Sequence, residues 1–534
     1  MASEIEDAIL KIFTREGRYG HTAITEKRLV RELSSELSVS EEFVRDQVGL
    51  SESVSSRAIT ADSMLWSTNQ SRLLERQATE QLERIIKSFS KKKRKEIRKS
   101  DLRLGKSVSL SKQQLTAVNA AITNGISIIT GGPGTGKTTM VRALVFALKG
   151  LKSSVKLCAP TGKAAKRMGE ATGLQSFKPE TVHKFLERHG QAEQNSFDVM
   201  IVDEASMLDI SLLHSLLACI PDGAQLVLIG DRDQLQPVNP GQPFRDLIKT
   251  IYHDLETPIK NISTETGVSG IVSAAYSVIN GVNPESNLTL AKNDFEFIEC
   301  DYEEITDTVL EYYFKKLPAL FGKSFDRIAG ELQILAPQRK GNSGLKRLNS
   351  EIQNKLTSSG ELVFQGKGKE PRVFFAGDRV MQVKNDYELN VMNGEIGKII
   401  SKRKNSEGIT VVIDGKKLLY DEEQIENLEL AYAISIHKSQ GSEYSGVIIP
   451  ITSEAKFMLS RNLVYTAITR GKSKVCLIGE KRVFESTIEN AYKGSRNTGL
   501  GLEIKQKELD KAISITRLTE IYRQKKHKPL ANKS

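Results

Sequence analysis

The chain has 534 residues, a net charge of +11 and 39% hydrophobic residues. That length exceeds one core and predicts three or four structural units. The charge favours polyanionic partners, and no apolar run nears the about 20 residues that cross a bilayer, which argues against a membrane protein.

The start, MASEIEDAILKIF, puts acids where a secretory leader needs basic residues, so the expected location is cytoplasmic. Residues 1–106 carry helical apolar spacing around Ile5 to Phe13, Leu29 to Leu37 and Leu73 to Phe89, with Thr25 and Ser40 as helix caps. They read as a small helical domain, winged-helix-like, ending in the basic linker KKKRKEIRK at Lys91 to Lys99.

From residue 107 the texture changes. SIIT, VKLCAP, VMIVDE and QLVLIGD are short apolar strands alternating with helices, the pattern of a parallel sheet covered on both faces. A second set follows: LQILAPQ, AYAISIH, GVIIPI and KVCLIGE. Between them, short alternating strands separated by Gly, Asn and Asp read as a small inserted β-barrel. The expected fold is α/β, with two tandem parallel-sheet domains. The expected boundaries are 1–106, 107–255 for the first sheet domain, 256–361 and 429–505 for the second, 362–428 for the barrel, and 506–534 for a basic tail. Cys158, Cys219, Cys300 and Cys476 lie far apart without CxxC spacing and read as apolar filler.

The chemistry begins at IITGGPGTGKTTM, Ile128 to Met140. Gly131, Gly132, Pro133, Gly134, Thr135, Gly136, Lys137 and Thr138 satisfy the phosphate-loop pattern, and Thr139 follows. Backbone N–H groups of such a loop wrap the phosphates of ATP, the next helix points its positive end at them, and Lys137 adds a mobile charge. Thr138 would hold Mg²⁺ with Asp203, the first acid after the apolar run VMIV, while Glu204 would polarise the attacking water. Asp231 and Gln234 end the next strand, and Gln234 is a candidate γ-phosphate sensor. Gln114 either reads the adenine edge or is exposed helix filler. Thr161, Gly162 and Lys163 form a strand-to-helix turn suited to a nucleic-acid phosphate, with Lys166 and Arg167 following. Thr181 and His183 are nearby candidates; His183 alone also fits a structural histidine.

This set resembles the superfamily 1 helicases, specifically the RecD-like ones. ILAPQRKG (Ile334 to Gly341), AYAISIHKSQGSEY (Ala431 to Tyr444), NLVYTAITRGK (Asn462 to Lys472) and the barrel segment Asp378 to Ile399 are similar to later motifs of that family. GRYGHTAITEKRLVREL is similar to the helical domain that precedes the motor in stand-alone members. The resemblance implies two RecA-like domains with ATP between them. It implies Arg470 as the transition-state arginine, Gly441 and Glu443 at the nucleotide, and Arg339, His437 and Ser439 on the strand. It further implies 5′→3′ movement on single-stranded DNA or tailed duplex DNA.

Two segments depart from the family pattern. The region after Thr257, TPIKNISTETGVSGIV, lacks the arginine of the family's LTEIFRQ-like segment, whereas RLTEIYRQ stands at Arg517 to Gln524. Either Arg523 folds back to supply that charge, or the tail is a frayed basic end that matches by chance, or hydrolysis is simply slow. The stretch ERHGQAEQNS, before Phe197, is short for a duplex-splitting hairpin. Three readings remain: a DNA helicase or translocase of recombination or repair; an ATP-gated DNA-binding subunit of a nuclease or relaxase complex; and an RNA-directed motor. No nuclease constellation is present, so DNA cutting would come from a partner protein.

Overall fold

The structure, a computed structural model, describes residues 2–60, 63–89, 97–98, 110–173, 178–190, 195–251, 269–284, 294–357, 360–366, 371–402, 408–490 and 496–519. Most of the basic run after Lys91, much of the segment after Thr257, and Arg523 lie outside the described residues. The chain divides into two compact units, and the first is built from both ends of the sequence: 1–160, 164–260 and 494–525. The second comprises chiefly 261–493.

In the first unit, the strand Ile126–Gly131 is buried at every position, as a strand covered on both faces must be. It lies in a six-stranded parallel sheet ordered Ser514–Leu518, Ile126–Gly131, Gln225–Gly230, Val199–Val202, Val155–Ala159, Glu180–Thr181. Alternate residues sort to opposite faces. Ile129, Ile201, Val227 and Ile229 pack with the helices Lys112–Thr123 and Lys137–Gly150. Ile128, Met200, Val202 and Leu228 pack with Ile210–Ala218, Pro243–Ile251 and Leu500–Gln506.

Two differences from the sequence reading stand out here. The helix Asn69–Ser88 carries Ala78, Leu82 and Ile85 on one stripe and joins this sheet's core rather than a separate helical domain. The segment read as a basic tail from 506 instead supplies the strand Ser514–Leu518, hydrogen-bonded in parallel beside Ile126–Gly131. Its half-buried apolar residues complete the sheet edge, which a frayed end would not do.

The N-terminal residues form the helices Ala2–Arg18, Glu26–Leu37 and Glu41–Leu50. They also form a three-stranded antiparallel sheet ordered Ala23–Thr25, Ser63–Thr68, Val54–Thr60. The order helix, strand, helix, helix, strand, strand is that of a winged helix. Ser40 accepts a hydrogen bond from Phe43 N as a true cap, whereas Thr25 occupies the cap position without a side-chain bond.

The second unit holds a five-stranded parallel sheet ordered Ala433–Ser435, Leu332–Ala336, Tyr444–Ile451, Gly471–Gly479, Phe295–Glu299. An antiparallel five-stranded sheet ordered Lys416–Tyr420, Ile409–Ile413, Ile396–Lys402, Arg379–Gln382, Leu428–Leu430 forms the inserted module. Its own core contains Val380, Ile399, Val411 and Tyr420. The four cysteines are buried and free. Among the described residues, no helix is long and apolar enough to cross a membrane.

One buried acid makes a stability prediction. Asp246 is pushed up to about 7, first by burial and also by Glu75, against hydrogen bonds from Thr498 and Gln242 and the charge of Arg245; Arg496 also interacts with it. A folded value above the unfolded one, near 3.8, means the folded chain resists ionising it. The destabilisation therefore begins as pH rises past the unfolded value and is complete above about 7. Asp246→Asn should raise Tm at pH 8 by an amount that shrinks at pH 5, read by thermal melts; an increment independent of pH would contradict this.

Candidate nucleotide-binding site

The phosphate loop leaves the strand Ile126–Gly131 at its C-terminal end, where open parallel sheets bind ligands. Gly134 and Gly136 have φ of 74° and 78°, a backbone that side chains rarely adopt, so the glycines permit the tight turn. Gly136 caps the 14-residue helix Lys137–Gly150. Lys137 Nζ donates to the carbonyls of Gly131 and Gly132, which holds the ammonium at the loop. Thr135 Oγ1 donates to Gly132 O at 2.9 Å. The Thr138 side chain is exposed at the first turn.

Gln114 is not exposed filler. It is buried; its Oε1 accepts from Ser111 N at 3.0 Å and its Nε2 donates to Thr135 O at 3.1 Å. The amide thus ties the start of its helix to the phosphate loop.

Asp203 and Glu204 follow the strand Val199–Val202. Asp203 Oδ1 accepts from Glu204 N at 2.9 Å. Burial first, and the Glu204 charge second, push Asp203 up to about 6, while Lys137 and Arg167 act the other way. Glu204 sits in the left-handed region at φ 54°, a strained position for a non-glycine residue. Its Oε2 is buried without a hydrogen-bond partner. Gln234, 6% exposed, donates to Asp231 Oδ2 at 3.3 Å, and its Oε1 is likewise buried without a partner. Unpartnered buried acceptors are costly and point to a missing donor or cation. Thr138, Asp203 and Glu204 Oε2 are oxygen donors of the kind that suit Mg²⁺, which keeps most of its shell for water and phosphate. Among the described residues, no group of three or more His, Cys, Asp or Glu side chains could hold a metal alone.

In the second unit, Arg470 follows the helix Arg461–Ile468 and is 4% exposed. Its guanidinium donates to Thr466 O at 3.0 Å, Ser442 O at 3.3 Å and Thr469 Oγ1 at 3.0 Å. Among the described residues it has no carboxylate partner, unusual for a buried arginine. Gly441 takes φ 71°, and Glu443 lies 3.8 Å from Lys472 Nζ. Gln440 Nε2 and Ser442 Oγ are buried without partners beside them.

The nucleic-acid candidates divide. Thr161 and Lys163 are half-buried at the start of the helix Gly162–Thr172. His183 and His437 are exposed, so His183 is not a buried structural histidine. Arg339 is exposed and reaches Glu429 Oε1 at 3.1 Å, a pair of little energetic weight. Thr181 and Ser439 are buried: Thr181 Oγ1 caps its helix by accepting from Lys184 N, and Ser439 Oγ donates to Ile436 O with no exposure. Their hydroxyls serve local backbone geometry.

The sequence reading missed Arg496, which donates to the carbonyls of Pro237, Asn239 and Gly241 in the loop after Gln234. No motif marks it, because its partners lie more than 250 residues earlier.

Comparisons with known proteins agree with this organisation. The chain matches an AAA domain over residues 109–265, an ATP-dependent RecD-like DNA helicase SH3 domain over 348–413, and a UvrD-like helicase C-terminal domain over 430–478. The ATP-dependent RecD2 DNA helicase of Deinococcus radiodurans is 33% identical over 73% of this chain, which spans about half of that relative's length (52%). The RecBCD enzyme subunit RecD of Mycobacterium tuberculosis is 30% identical over 73% of each chain. A solved structure of Bacteroides Pif1 bound to ssDNA aligns over 71% of this chain and 94% of its own, at 18% identity and a TM-score of 0.42.

Proposed function

The chain belongs to the RecD-like helicase family, and from that premise we propose that it is an ATP-driven DNA helicase and translocase of recombination or repair, moving 5′→3′ on single-stranded DNA. The observation that carries the reading is the convergence at the strand ends of one sheet. Lys137, Asp203, Glu204 and Gln234 follow three neighbouring strands, and two of the four side chains keep an unpartnered buried acceptor.

Each residue has a stated task. Loop N–H groups and Lys137 bind the phosphates of ATP. Thr138 and Asp203 would hold Mg²⁺, which supplies charge neutralisation on the phosphate oxygens. Glu204 Oε2 accepts from the attacking water, and Gln234 senses the γ-phosphate. Arg470 stabilises the charge that develops on the transferred phosphoryl group. Thr161, Gly162, Lys163, His183, Arg339 and His437 are the proposed strand contacts, with Gly441 and Glu443 coupling them to the nucleotide.

A second reading, an ATP-gated DNA-binding subunit, draws support from relatives named as subunits of the RecBCD enzyme. Strand displacement separates the two. The motor reading expects ATP-dependent release of a labelled strand from 5′-tailed duplexes and little from 3′-tailed ones. DNA binding without displacement from either would favour the subunit; preference for RNA would favour an RNA motor.

A further inference from the structure

The returning C-terminal segment grips the first unit at three places. Arg496 donates to Asn239 O at 3.0 Å, Gly241 O at 2.8 Å and Pro237 O, three carbonyls of the loop that continues from Gln234. Its guanidinium lies where a side chain on Gly20 would stand, since a Cβ there would come within 2.1 Å of Arg496 Cζ. Next, Gly499 N donates to Glu75 Oε1 at 2.9 Å, and Glu503 approaches Arg57 at 3.3 Å. Arg57 pairs in turn with Glu75 at 2.8 Å, with all three charged side chains buried. Last, Ser514–Leu518 pairs with the phosphate-loop strand, and Thr519 exchanges two hydrogen bonds with Gln113, at 2.9 and 2.8 Å. Gln113 precedes Gln114, the brace of Thr135.

A guanidinium is suited to this duty. Its planar fork carries five donors, and Nη1 and Nη2 give three hydrogen bonds to carbonyls of one loop, while Asp246 and Asp209 supply opposing charge nearby. Such a contact fixes loop shape and does not merely neutralise an acid. The loop it fixes begins at Gln234, whose side-chain amide donates to Asp231 Oδ2.

We propose that Arg496 is a positioning residue of the ATP site: it holds the Gln234 loop in the shape that hydrolysis requires. This rests on the reading of Gln234 as the γ-phosphate sensor. The segment after residue 493 is then a working part of the ATPase unit, although residues 261–493 of the second unit precede it in sequence. The consequence should fall on turnover more than on nucleotide affinity, because the phosphate loop has its own supports in Gln114 and Ser514–Leu518.

The test is a double-mutant cycle on the full chain. Arg496→Ala should lower kcat for ATP by about tenfold to 10²-fold, the scale of a slight misplacement at a reacting centre, with KM changed by no more than about threefold. Arg496→Lys keeps the charge and most of the bulk but not the fork; it should fold normally and still lose turnover. Gln234→Ala combined with Arg496→Lys should be no slower than Gln234→Ala alone, because both changes act on one loop. Multiplying effects, or Arg496→Lys with wild-type turnover beside a slow Gln234→Ala, would overturn the clamp alone. Unchanged turnover in Gln234→Ala would overturn the sensor reading and the clamp with it.

Discussion

Lys137→Ala is expected to lower ATP turnover by at least about 10²–10³-fold, roughly 3–4 kcal/mol of transition-state stabilisation, without unfolding the chain. Among the described residues the lysine donates to the carbonyls of Gly131 and Gly132, both parts of its own loop. Its removal takes one positive charge from beside Asp203, where Arg167 also acts in the same sense. The helix it opens keeps its glycine cap, and alanine is the best helix former at that position. A thermal melt close to wild type beside lost turnover is the expected pair of results. Appreciable hydrolysis in this variant would contradict the assignment of the phosphate-loop lysine.

The second large effect is expected at Arg470. Arg470→Lys should lower kcat by about 10³-fold or more, within the range attributed to transition-state arginines, with nucleotide affinity nearly unchanged. The lysine keeps a positive charge but offers a point donor where the guanidinium offers a fork. Three hydrogen bonds to Thr466 O, Ser442 O and Thr469 Oγ1 orient that fork, and no described carboxylate neutralises it. A buried cation held only by neutral acceptors calls for an anion, and a phosphoryl group in transfer is the anion this reading supplies. Single-turnover hydrolysis with separately measured ATP binding reads the two effects apart. Equal losses in binding and turnover would make Arg470 a ground-state contact instead.

The candidate nucleotide site was legible in the sequence because it is local. Phosphate loops, strand-end acids and fully apolar strands lie within a few residues of one another, and Val199–Val202 followed by Asp203 and Glu204 reads the same in letters and in space. Hydroxyl roles were less legible. Thr181 and Ser439 read as strand-contact candidates, but a helix cap engages the first and a hydrogen bond to Ile436 O engages the second, which letters do not encode. Gln114 was open for the same reason: adjacency to a loop decides whether an amide is a reader or a brace. The C-terminal strand was the hardest to see. SITRL is short and half-polar, and its partner strand is distant; Ser127 and Ser514 meet at 2.8 Å across 387 residues. The short strands of the N-terminal sheet were overlooked because helical spacing dominates around them.

That strand changes how the tail must be probed. A cut after Gln506 removes Ser514–Leu518 as well as Arg523, so it removes the support of the phosphate-loop strand together with the arginine. A cut after Thr519 keeps the strand and removes Arg523, and so separates structural support from a possible catalytic charge.

The most direct measurement of the central claim is ATP turnover by the full chain with and without single-stranded DNA, with Lys137→Ala run alongside as the blank. A motor that couples hydrolysis to movement along a strand predicts strong stimulation by DNA that disappears in the variant. DNA binding with turnover unchanged would contradict it.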